Sequence, residues 1–160
     1  KGNTLGVTLE QFPPSPVRVG TRDIRFRVVS PTAGSLVLLD VAEDGKLTQL
    51  FPNQHAGGSG REGHLLAGSP IVVPDDYYGI SFNATAPSSG TLIAVVTAEP
   101  VALPPTVATR KIEVIPRQEA AETFLPAIAG ALGQPVDAGS TAPTRVIDWS
   151  VATLNYEIVP

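Results

Sequence analysis

The sequence predicts a mainly β chain: an antiparallel β-sandwich of about eight strands with one helix in its C-terminal half. Three observations predict it. Short apolar runs recur along the chain, several of them alternating with polar residues as half-buried strands do. The 16 prolines and 15 glycines of the 160 residues fall between those runs, where turns belong. Hydrophobic residues make up 42% and charged residues 16%, which suits a packed core and argues against a disordered chain.

Each element follows in order. Thr4 to Leu9 is a first short strand, and Phe12-Pro13-Pro14-Ser15-Pro16 a stiff extended connector. From Thr21 to Ser30, Ile24, Phe26 and Val28 face one way and Asp23, Arg25 and Arg27 the other. Pro31 to Gly34 is a turn. Ser35 to Val41 is nearly all apolar, as in a central strand covered on both faces. Asp44-Gly45 accepts the backbone of a tight hairpin turn, and Lys46 to Phe51 returns as its partner strand. Alternation puts Leu47, Gln49 and Phe51 on one face of that strand, and Pro52 stops it.

The stretch from Asn53 to Gly63 carries four glycines, which predicts a loop. His64 to Ala67, Pro70 to Val73 and Tyr77 to Phe82 are further strands, and Asp75-Asp76 a turn. Ala86 to Gly90 is a turn before a buried strand from Thr91 to Ala98. Proline then dominates residues 100–105, and residues 106–116 are extended. Arg117 to Leu132 predicts the helix, with Phe124, Leu125, Ile128 and Leu132 as its apolar stripe, kinked at Pro126. Thr144 to Val159 is a long closing strand whose apolar residues need a sheet. Residues 1–160 are therefore expected to form one domain.

Composition narrows the function classes. A net charge of −4 offers no electrostatic footprint for nucleic acid. No apolar run reaches the length of a membrane span, so no membrane insertion is expected. With no cysteine there is no disulfide, thiolate metal site or cysteine nucleophile, and the compartment stays open. The chain begins at Lys1, without Met or a signal sequence, so it is expected to be part of a longer or processed protein.

An ordered set of motifs resembles a bacterial domain family found C-terminal to caspase-like peptidase domains and to some protein kinase domains. The set comprises Val19-Gly20, Leu38-Leu39-Asp40, Asp44-Gly45-Lys46 and Leu50-Phe51-Pro52-Asn53. Leu66-Ala67-Gly68, Ile71-Val72-Val73-Pro74, Pro87 through Gly90 and Ile93 through Pro100 continue it. The resemblance covers residues 17–101; residues 106–160 add the helix and closing strand. Asp148-Trp149 through Tyr156-Glu157-Ile158 resembles the C-terminal extension of the caspase-associated members. It implies a non-catalytic accessory module beside a caspase-like domain, fused or neighbouring, in a bacterial protein; whether that protein is cytoplasmic or extracytoplasmic stays open. It implies no catalytic residue, metal or cofactor.

Weighed one by one, the candidate chemical residues give little. His55 and His64, even with Asp75 or Asp76, lack the tight spacing of a metal signature. Asp40, Glu43 and Asp44 fail as a calcium loop, because Phe51 stands where a closing Glu is needed. Turn chemistry accounts for them. Gly57-Gly58-Ser59-Gly60-Arg61 has no Gly-Lys-Ser/Thr ending, so it is no P-loop. No elbow or helix follows Ser59 to make it a nucleophile. Asn83-Ala84-Thr85 fits the N-glycosylation pattern, which arises often by chance.

The expected function is an accessory domain that binds a protein partner or positions or regulates a caspase-like peptidase. A first alternative is a module for a carbohydrate or anion, using the 53–64 loop with Arg61, His64, Asp75 and Tyr77 as its ligand-binding residues. A hydrolase with an unrecognised site is the second.

Overall fold

The computed structural model describes residues 5–52, 63–75, 81–98, 114–115, 117–119, 122, 126 and 148–160. They form a mainly β structure in two sheets. A three-stranded sheet has the order β1-β3-β7, where β1 is Thr8–Phe12, β3 Arg25–Val29 and β7 Ile71–Val73. A seven-stranded sheet has the order β2-β10-β8-β4-β5-β9, with β6 also paired to β4. Its strands are β2 Val17–Arg18, β4 Gly34–Ala42, β5 Leu47–Phe51, β6 His64–Leu65, β8 Ser88–Thr97, β9 Val114–Ile115 and β10 Trp149–Val159.

Strand alternation builds the core. Leu9, Phe26, Val28, Ile71 and Val73 from the smaller sheet share one buried cluster with Leu36, Leu38, Phe51, Leu92, Ala94 and Val96 from the larger. Burying each Val, Leu, Ile or Phe among them is worth about 1.5–3 kcal/mol. The opposite face of the larger sheet carries a second buried cluster of Val37, Leu39, Leu47 and Val95. The unbroken apolar run of β4 is thus explained: it sits between β8 and β5 and feeds both clusters.

The Asp-Gly hairpin forms as its residues dictate. The Gly45 amide donates to the Ala42 carbonyl at 2.8 Å, and Gly45 takes a left-handed φ of 83°. The Lys46 amide donates to Asp44 Oδ1 at 3.0 Å, the side-chain turn bond expected of Asp.

The structure corrects several expectations. The sheets are not purely antiparallel, because β2 joins β10 in parallel, Val17 facing Ile158. The helix expected over residues 117–132 is not seen as an element: among the described residues Arg117–Glu119 form one helical turn, and Glu122 and Pro126 are isolated helical positions. Phe124, Leu125, Ile128 and Leu132, the apolar stripe that predicts it, lie outside the described residues. The turn expected at residues 86–90 ends early, because Ser88, Ser89 and Gly90 are already strand, paired with Ile158, Glu157 and Tyr156 of β10. Finally, Phe51 faces the core shared by both sheets rather than the Leu47 side. A register shift sets Leu38 opposite Phe51 and Leu39 opposite Gln49, so Leu50 is an extra residue. That bulge turns Phe51 over.

Candidate functional site

Of the four residues expected to bind a ligand, Arg61 and Tyr77 lie outside the described residues, as does His55. His64 is exposed on β6, opposite Ser35 of the larger sheet. Asp75 is partly exposed just past β7, in the smaller sheet's part of the chain. Among the described residues no three His, Asp or Glu side chains gather as a metal cluster. No helix among them is long and apolar enough to cross a membrane.

A different site emerges between the sheets. A cavity of about 350 Å³ opens at one end of the shared core. Ile24, Phe26 and Phe82 wall it on the side of the smaller sheet, and Val17, Leu50 and Ile158 on the side of the larger. The Phe26 and Phe82 rings lie 6.0 Å apart, tilted by 35°. A short backbone ladder fixes this wall: the Ile24 amide donates to the Phe82 carbonyl at 2.9 Å, and Thr21 and Ala84 are joined at 2.9 Å. Loop residue Asp23 is held at a left-handed φ of 55°, its amide donating to Asn83 Oδ1 at 3.2 Å.

The polar end comes from two central strands. Asp40 follows Leu36 and Leu38 on the inward face of β4, and Tyr156 lies on the inward face of β10 with Leu154 and Ile158. Tyr156 Oη donates to Asp40 Oδ2 at 3.3 Å. Asp40 Oδ1 is shielded and has no hydrogen-bond partner among the described residues. Burial pushes the Asp40 carboxyl above the usual carboxylate range, against a weaker downward pull from the Tyr156 hydroxyl. Burial, then the charge on Asp40, raises the Tyr156 hydroxyl too, so it stays protonated and donates. Gly90 makes the meeting possible: it stands opposite Tyr156, and a Cβ there would lie 2.6 Å from Tyr156 Oη and 2.7 Å from the Val41 carbonyl oxygen. Gln11, buried nearby, has its Nε2 engaged by the Pro13 carbonyl at 3.0 Å.

Sequence reasoning missed Asp40 and Tyr156. In the sequence Asp40 reads as part of the hairpin, and Tyr156 as one more residue of the closing strand. One signal was available: the even positions of β4 run Leu36, Leu38, Asp40, so the parity that buries two leucines also carries the acid inward.

A family model described as Domain of unknown function (DUF4384) matches residues 17–100. No curated protein and no solved structure matches the chain.

Proposed function

The chain belongs to the family described as Domain of unknown function (DUF4384), and from the geometry of its cavity we propose that it is a non-catalytic binding module. In this reading the two sheets form a β-sandwich, and a small ligand sits between them. The carrying observation is the 350 Å³ space with mostly apolar walls and the Asp40–Tyr156 pair at its end. Ligand pockets have that size and that sparse polar lining. The module works beside an enzyme, with a caspase-like peptidase domain as the expected fused or neighbouring partner, which ligand binding positions or regulates.

A two-dimensional amide NMR screen with sugars, nucleotides, amines and carboxylates tests the binding role. Shift changes clustered on Ile24, Phe26, Leu50 and Tyr156 are expected. Changes confined to residues 53–64, or none with any compound, would remove the cavity from the account. The accessory role is tested by the full reading frame and its neighbours: a caspase-like domain supports it, and its absence from both sinks it.

A further inference from the structure

The cavity holds an unbalanced charge. A carboxylate can accept about four hydrogen bonds. From the described residues the Asp40 carboxylate accepts the single bond from Tyr156, and Oδ1 has no partner. Tyr156 is the other titratable group among the described lining residues, and it is held neutral. The remaining polar ones, Gln11, Ser81 and Asn83, carry no charge. Gln11 is already engaged with the Pro13 carbonyl and Asn83 with the Asp23 amide. No Lys, Arg or His stands among the described lining residues. A desolvated carboxylate beside an apolar space with no cation near it rewards a ligand that brings one.

We infer that this end of the cavity binds a primary ammonium group carried on an apolar stem, an inference that rests on the binding role above. The choice of ammonium follows from the geometry. A guanidinium needs both carboxylate oxygens side by side for its planar fork. Here Oδ1 is shielded and Oδ2 already takes the Tyr156 hydroxyl, so the carboxylate offers the remaining acceptor side of Oδ2, a point rather than an edge. An ammonium is a compact donor that suits a point. Its stem packs between Phe26, Phe82 and Leu50.

Calorimetric titration of the wild-type chain and Asp40→Asn with phenethylamine and with its neutral analogue, phenethyl alcohol, tests this. The wild type is expected to bind the amine at least about tenfold more tightly than the alcohol, as a charge-assisted bond allows. Asp40→Asn is expected to lose that preference. Equal binding of amine and alcohol by the wild type, or a preference kept by Asp40→Asn, overturns the ammonium inference and leaves the binding role standing. If neither compound nor any other binds the cavity, both fall. A readout that needs no variant is the ¹³C titration of the Asp40 carboxyl. Saturating phenethylamine is expected to move it to lower pH, and no movement counts against the inference. Nα-acetyl-lysine methylamide in parallel separates sources: tighter binding than phenethylamine points to a protein lysine, weaker binding to a small amine, and either upholds the ammonium chemistry.

Discussion

Asp40 lies where a strand's parity, not its polarity, decides what is buried. Leu36 and Leu38 need the inward face of β4, and the next residue of that face follows them. The cost shows in its proton. Its carboxyl sits above the ordinary 3.8 because burial disfavours the charge. The folded chain thus holds this proton more tightly than the unfolded chain. The stability this contributes is fully present below pH 3.8 and is lost as pH rises through the raised folded value. Compared with Asp40→Asn, the wild type is therefore expected to be at its most stable in acid and to lose ground towards neutrality. Melting temperatures of both proteins across that range check this; a constant difference would rule it out. Gly90 supports the same pair from below. Gly90→Ala would drive a methyl against Tyr156 Oη and the Val41 carbonyl, at an expected cost of about 1–3 kcal/mol in urea unfolding.

Among the elements, β5 is the one whose alternation misleads. Regular alternation puts Phe51 with Leu47, yet Phe51 lies in the core shared by both sheets and Leu47 in the outer cluster. The bulge at Leu50 makes the difference, and it also delivers Leu50 to the cavity wall. Deleting Leu50 should restore an unbroken ladder: Phe51 would follow Gln49 directly and still face inward, opposite Leu38. Phe51→Ala, at 1% exposure, is expected to cost about 3–5 kcal/mol. The Leu50 deletion is expected to cost less in the same denaturant series, and an equal or larger loss would show that the bulge itself holds the strand. The comparison also marks what is legible in a sequence. The inward Phe26 and Val28, the two-sided β4 and the Asp44-Gly45 turn follow from local chemistry, and all were readable. A bulge adds one residue without a local signature, since Leu50 is as apolar as its neighbours. The parallel edge of β2 depends on residues about 140 positions away in the chain, Val17 against Ile158, which no local pattern encodes. The cavity has the same character: Asp40 and Tyr156 are separated by 116 positions and meet only through β8 between them.

At the scale of the whole molecule, the family match and the paired sheets have different limits. The match runs over residues 17–100 and so contains β2 to β8. It leaves out β1, the two-residue β9, and β10. Yet β10 pairs with β8 over ten residues, from Trp149 opposite Thr97 to Ile158 opposite Ser88. It also supplies Tyr156 and Ile158 to the cavity and Ser150, whose Oγ accepts a bond from the Leu5 amide. Strand β1 in turn covers β3 in a five-residue antiparallel register. Removing both would open a long edge on β8, uncover Leu92, Ala94 and Val96, and leave β3 with only the short β7 beside it. A chain of residues 17–100 alone is therefore expected to lose cooperative unfolding and to aggregate, whereas residues 1–160 unfold in a single transition. Denaturant unfolding and light scattering of the two chains decide the matter. If the short chain unfolds cooperatively with stability close to that of the long one, β1 and β10 are attachments to a finished fold, and the Tyr156 side of the cavity is an addition to the family's core rather than part of it.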